Sequence, residues 1–230
     1  VMLSLVIAIN LGYAATIYLD ADVTIAQGSQ DGTSKSTAYD SLTQEIIDTI
    51  NPGDTIYLWG TFASGEDSLD LSGIGSSGNV TEFRAMAENT IIDVGTWIGN
   101  TEFFVNTTSY IDFRGLIFTG DNGDGTLFQA LNNVNFYGCT ISANSNEDIK
   151  YLCPTLTNST LKYCSLFRIE FPYTSDWTEI ENCTFINCRY PGFGSGNIEK
   201  FNRNIIFQSG WSGIGDLDTF SDATADYNIL

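Results

Sequence analysis

Ile111-Asp-Phe-Arg-Gly-Leu-Ile-Phe118, Val134-Asn-Phe-Tyr-Gly-Cys-Thr-Ile141, Leu161-Lys-Tyr-Cys-Ser-Leu-Phe167 and Ile180-Glu-Asn-Cys-Thr-Phe-Ile186 are variants of one phrase. Two looser copies follow, at Ile198–Phe207 and Asp226–Leu230. Laid over one another, they put Gly115, Cys139, Cys164, Cys183, Asn204 and Asn228 in one column, with separations of 24, 25, 19, 21 and 24 residues. Strand-like phrases at this period predict a solenoid of stacked coils, not a globular sandwich.

The composition narrows the functions open to such a fold. The chain has 230 residues, 43% of them hydrophobic and 13% aromatic, which is ample for a continuous core. Charged residues are sparse at 16%, and 28 acids against 9 bases give a net charge of −19. That balance argues against nucleic acid and anionic membrane surfaces as partners, since both need basic patches. It is compatible with cation binding, neutral glycans or solubility alone. There is no histidine, which removes the commonest general base and the commonest zinc ligand. Any catalysis would have to run on carboxylates, Lys, Arg, Tyr or Cys.

Five cysteines, at 139, 153, 164, 183 and 188, leave at least one unpaired within the chain. Three share the repeat column, where stacked strands lie about 4.7–4.9 Å apart. That spacing admits a disulfide and equally admits a ladder of small buried thiols.

Outside the repeats, residues 1–15 form an apolar stretch, Val1-Met-Leu-Ser-Leu-Val-Ile-Ala-Ile-Asn-Leu-Gly-Tyr-Ala-Ala15. It reads either as the core of a secretory signal or as a retained assembly segment, and it is too short for a membrane span. Thr16–Ala26 has a strand pattern. The spacing then predicts a helix over Ser41–Ile50, with Ser41 and Gln44 as a capping box and Leu42, Ile46, Ile47 and Ile50 as its apolar stripe. Asn51-Pro-Gly53 stops it, and Asp54-Thr-Ile-Tyr-Leu-Trp-Gly60 reads as a strand.

This order of strand, Gly/Ser loop with Asp31-Gly-Thr-Ser34, short helix and "NPGDTIYLWGTF" resembles the N-terminal cap and first coil of the pectate-lyase-like superfamily. The resemblance implies an all-β fold, a right-handed parallel β-helix solenoid of seven or eight coils with a short N-terminal α-helical cap. It divides the chain into residues 1–15, a cap and first coil at 16–62, and coils at 63–230. It says little about activity, because one scaffold hosts many functions. Members that are lyases hold Ca2+ with acidic side chains and use Arg or Lys as base; related hydrolases use clustered aspartates.

The Ca2+ candidates here are Asp121, Asp124, Asp216 and Asp218, with Asp222 and Asp226 nearby, since hard oxygen ligands on loops suit that ion. Gly120-Asp-Asn-Gly-Asp-Gly125 is also what a tight turn looks like, and it lacks the twelve-residue calcium-loop register. No other cofactor is implied. Arg114, Lys162, Lys200 and Arg203 lie in or beside the phrases and are expected to pair with acids on adjacent strands. Aromatics inside the phrases, among them Tyr137 and Tyr163, are expected in core stacks. Those in Phe171–Trp177, Tyr190–Phe193 and Gly210–Gly213 are the better candidates for sugar or subunit contacts, although packing on the solenoid wall is the favoured reading. Asn79, Asn106 and Asn158 are glycosylation candidates, and Asn182, beside a column cysteine, is the least suited of the four sequons.

The last phrase, Ala225-Asp-Tyr-Asn-Ile-Leu230, carries no visible cap, and a bare terminal coil exposes apolar surface and unpaired backbone. With the apolar stretch at the other end, this predicts end-on association through Val1, Leu3, Leu5, Val6, Ile7, Ile229 and Leu230. The function expected is therefore a secreted or cell-surface structural protein, self-assembling end to end into a fibre or sheath-like layer, its main partner itself. The alternative is a carbohydrate-active enzyme, a polysaccharide lyase or glycoside hydrolase, or a glycan-binding module. The lack of a persuasive catalytic set tilts the sequence away from an enzyme.

Overall fold

The computed structural model describes residues 14–23, 29–63, 68–96, 102–121, 126–143, 150–170, 175–188 and 198–207. These form an all-β structure of two parallel sheets. The long sheet follows Thr16–Asp20, Thr55–Trp59, Thr81–Ala85, Glu102–Arg114, Thr126–Tyr137, Thr155–Lys162, Ser175–Glu181 and Ile198–Asn202 in sequence order. The short sheet follows Thr61–Ala63, Ile91–Thr96, Ile117–Asp121, Thr140–Ala143, Ser165–Phe167, Thr184–Ile186 and Ile205–Phe207. From Thr55–Trp59 on, these strands alternate between the sheets and advance by one neighbour in each, while Leu69–Asp70, Lys150–Tyr151 and Ile169–Glu170 pair with the long sheet off this path.

Period-two alternation explains which side chains turn inward. In Thr55–Trp59, Ile56 and Leu58 are buried while Thr55, Tyr57 and Trp59 are half-buried. The same alternation recurs at each pass, so identical positions stack. Ile56, Phe83, Phe113, Phe136, Leu161, Ile180 and Phe201 form one inward ladder, each the register partner of the next. Within it the Phe113 and Phe136 rings stack at 5.3 Å, and Phe104 stacks on Phe128 at 4.7 Å. Each such pair contributes roughly 0.5–1.5 kcal/mol beyond its buried area.

Left-handed residues turn the chain at fixed places. Gly115, Gly138, Tyr163, Asn182 and Arg203, with φ of 68°, 62°, 58°, 54° and 56°, stand at the corner between the sheets on successive passes. Tyr110, Asn133 and Asn158, at 55°, 55° and 49°, make a second corner inside the long strands. The phrase beginning at Ile111 is therefore the second half of one long strand, Glu102–Arg114, bent at Tyr110.

The corner corrects the column read from the sequence. Gly115 aligns with Gly138, both outward at the turn, and the residue stacked with the cysteines is Leu116. The backbone ladder Ile117 N to Thr90 O, Thr140 N to Leu116 O, Ser165 N to Cys139 O, Thr184 N to Cys164 O and Ile205 N to Cys183 O sets this register. Leu116, Cys139, Cys164, Cys183 and Asn204 are all buried behind it. Gly115 belongs instead to the left-handed corner, one residue before the buried column, where glycine is the least strained residue.

Two features of the helical segment also differ. The helix spans Gln44–Ile47 only, and Thr43 at its N-cap makes no side-chain cap bond. Gln44 spends its amide elsewhere, donating to the Asp70 carbonyl at 3.2 Å and accepting the Asp70 amide at 2.7 Å, while Ser41 Oγ donates to Asp40. The expected capping box is lost to a contact with a strand 26 residues on. Ile46, Ile47 and Ile50 are buried, as their spacing requires. At the start of the long sheet, Tyr18 N donates to Gly32 O, Asp20 N to Tyr39 O and Tyr39 N to Tyr18 O, so the free edge of Thr16–Asp20 is closed by the segment around 32–39.

Candidate functional site: the outward face of the long sheet

The side chains opposite the inward ladder form one continuous face. Its positions are Tyr57, Arg84, Arg114, Tyr137, Lys162, Glu181 and Asn202 along one row. Glu82, Asp112, Asn135, Thr160, Glu179 and Lys200 stand along the next. Parallel register thus brings acids and bases from segments some 20–30 residues apart to neighbouring strands.

Ion pairs run along the face between the described residues. Glu82 takes Arg84 on its own strand and Arg114 on the next, the latter at 3.0 Å, while Arg114 also reaches Asp112 at 2.7 Å. Asn135 donates to the other Asp112 oxygen at 2.8 Å. Lys162 binds Glu179 at 2.6 Å and lies 3.9 Å from Glu181. Lys200 sits 3.5 Å from Glu179, and Arg203 3.6 Å from Glu181. The Arg114 guanidinium also covers the Tyr137 ring at 4.2 Å. The expected cross-strand pairing of Arg114, Lys162, Lys200 and Arg203 is what the strands show.

The electrostatics follow from this pairing. The Glu179 hydrogen bond pushes Lys162 above its ordinary value, and the charges of Glu179 and Glu181 add to it. Burial works to lower Arg114, but Asp112 and Glu82 outweigh it and raise the group. Burial, then Asp112, raises the Tyr137 hydroxyl. All three are thereby held protonated, the wrong state for a general base.

Aromatics gather at the first two strands of the face. Tyr18 and Tyr57 meet edge to face at 5.6 Å, and Tyr18 and Trp59 lie parallel at 6.2 Å. Beside Trp59 opens a cleft of about 490 Å3 lined by Asp20, Asp22, Lys35, Trp59, Gly60 and Asn89, among others. The Lys35 ammonium rests 4.6 Å over the Trp59 ring and 3.8 Å from Asp20 Oδ2. Asp20 also accepts the Asp22 amide at 3.1 Å. Alternation in Thr16–Asp20 and Thr55–Trp59 could have placed the rings outward. Nothing local could have placed Lys35 over Trp59.

The aromatics correct one expectation and agree with the favoured reading of another. Tyr137 is half-buried on the outward face, and Tyr163 is 64% exposed at the corner, so neither belongs to the core stacks. Trp177, within one of the segments singled out for surface contacts, is buried at 1% in a strand, in register with Ser159 and Ile198. It packs in the wall. Phe171, Tyr173, Tyr190, Phe193 and Trp211 lie outside the described residues.

Of the Ca2+ candidates, only the backbone of Asp121 is described, at the end of Ile117–Asp121 and in register with Thr96. Asp124, Asp216 and Asp218 lie outside the described residues, as do Val1, Leu3, Leu5, Val6, Ile7, Ile229 and Leu230. Among the described residues no group of three or more acids or cysteines is disposed to hold a metal ion. No helix among them is long and apolar enough to cross a membrane. Asn79, Asn106 and Asn158 are all exposed. Asn79 stands in a tight turn closed by Ser76, whereas Asn106 and Asn158 occupy left-handed positions and Asn106 Nδ2 donates to Asp70 at 2.8 Å. The structure does not bring the three together on one strand.

All five cysteines are free and buried. The Cys139, Cys164 and Cys188 thiols donate to the carbonyls of Phe113, Phe136 and Leu166, each at 3.3–3.4 Å. Burial pushes Cys139 and Cys183 well up, and Cys188 up to about 11. Of the two sequence readings, the buried ladder is the one this geometry matches.

No protein-family model, curated protein or solved structure significantly matches the chain.

Proposed function

We propose that the chain is a right-handed parallel β-helix of the pectate-lyase-like architecture, acting outside the cell or at its surface as a structural protein that associates with copies of itself. The alternation of the chain between two parallel sheets, one neighbour per pass, supports the β-helix. A crossover between parallel strands of one sheet is almost always right-handed, which supports the hand.

The observation that carries the structural role is the spent charge on the outward face. Arg84, Arg114, Lys162, Lys200 and Arg203 each sit against a carboxylate of their own strand or the next. A lyase or hydrolase needs a group free to take or give a proton near neutrality, and Arg114 and Lys162 are held charged by their pairs. What the pairs do supply is a stitch between successive strands. The hydrogen bonds of Tyr18 and Asp20 to the segment around 32–39 favour a contact at that edge that does not add a strand.

Electron microscopy and light scattering of the purified protein test this. Elongated particles that lengthen with concentration are expected. Compact monomers at every concentration would overturn the self-association. Release of reducing or unsaturated sugars from a polysaccharide panel would overturn the structural role in favour of a carbohydrate-active enzyme.

A further inference from the structure

The cleft beside Trp59 has chemistry that the ion-paired face does not use. Asp20 and Asp22 bring two carboxylates to it and Lys35 one cation, so it keeps a net negative charge within a chain of net charge −19. Asp22 is exposed, and no cation among the described residues pairs with it. Room above it is kept by Gly60, whose φ of +84° is left-handed and whose absent Cβ would stand 3.1 Å from Asp22 Oδ2 and 3.1 Å from the Ala21 Cβ. Any other residue there would crowd the carboxylate.

Lys35 shows what this seat accepts. Its ammonium is the end of a flexible stem, 57% exposed, yet it rests over the Trp59 ring and toward Asp20 Oδ2. An indole face beside carboxylates is the arrangement that attracts organic cations. We propose that the cleft binds an organic ammonium ion, which takes the place of the Lys35 ammonium over Trp59 and adds the Asp22 carboxylate as a second partner. An anion would be repelled by Asp20 and Asp22. A neutral sugar ring would have to displace the same ammonium without replacing its charge. The proposal does not depend on the structural role above.

The affinity expected is on the order of millimolar, because an exposed cation–π contact and screened carboxylates are each weak. Indole N–H NMR shifts, assigned to Trp59 with Trp59→Phe, read titrations with cadaverine and with tetramethylammonium at constant ionic strength. Saturable shifts of the Trp59 signal are expected. Lys35→Met removes the internal competitor and should tighten binding about two- to five-fold, while Asp22→Asn should weaken it by a similar factor. Trp59→Leu, read by the cadaverine line width, should abolish it. All of these positions are partly or fully exposed, and an unchanged circular dichroism spectrum certifies each variant. The proposal is overturned if Lys35→Met leaves binding unchanged or weaker, if sodium chloride gives the same shifts, or if a neutral disaccharide saturates the site while the amines do not.

Discussion

Asn204, wholly buried, accepts the Cys183 amide through Oδ1 at 2.9 Å and donates through Nδ2 to the Ile180 carbonyl at 3.0 Å. The side chain thereby bridges its own strand to the preceding pass at the point where Leu116 and the cysteines fill the column. A buried amide is tolerated there because both ends are satisfied.

Removing that bridge should be costly. Asn204→Leu leaves a buried amide and a buried carbonyl without these partners and should destabilise by about 2–4 kcal/mol, read from urea unfolding. Asn204→Cys, which restores the column's own residue type, should cost less. Equal losses would mean that the amide is not what the site requires.

The thiol column predicts silence in the native protein. None of the five cysteines is exposed, and a thiolate is the reactive form. Ellman's reagent at pH 8 should therefore react slowly with the folded chain and with five thiols once it is unfolded without reductant. Three or fewer thiols in the unfolded sample would reveal a disulfide and would contradict the ladder.

The corner predicts a difference between substitutions that contact nothing. A Cβ on Gly138 would meet no atom within 4 Å, so only its φ of +62° opposes a side chain. Gly138→Val should cost about 1–2 kcal/mol, with Gly138→Asn clearly less, because asparagine tolerates the left-handed region. Thermal unfolding of the two variants compares them directly.

The Glu179–Lys162 pair fixes the sign of a pH effect. Burial works to raise Glu179, but the Lys162 hydrogen bond and the charges of Lys162 and Lys200 outweigh it, so the carboxyl stays below its ordinary 4.5. Its contribution is complete above pH 4.5 and lost as pH falls through the lowered value. Lys162, raised in the fold, contributes below its ordinary 10.5 and loses this as pH rises through the raised value. Lys162→Met should therefore flatten both the acid and the alkaline limbs of a stability–pH curve. The loss near pH 7 should be only about 0.2–1 kcal/mol, since both groups are partly solvated. An unchanged acid limb would show that the pair does not form in solution.

Much of the architecture could be read locally. Alternation at period two decided which side chains face inward, and the recurrence of Ile-x-Phe-x-Gly phrases decided that like positions stack. Both depend only on residues a few places apart. The pairing of Arg114, Lys162, Lys200 and Arg203 followed from the same repetition, because parallel strands put equivalent positions side by side.

What tertiary structure alone decided lies wherever two distant segments compete for one group. The Asp70 backbone, not Ser41, holds the Gln44 side chain. The hydrogen-bond ladder from Thr90 to Cys183 slid the column from Gly115 to Leu116, because a one-residue change in register turns a side chain from corner to core. Lys35 came to lie over Trp59 through the return of the segment around 32–39 onto Tyr18 and Asp20. The chain's repeats could set the spacing of the strands, but only their actual contact could choose the register and leave a charged cleft beside an outward tryptophan.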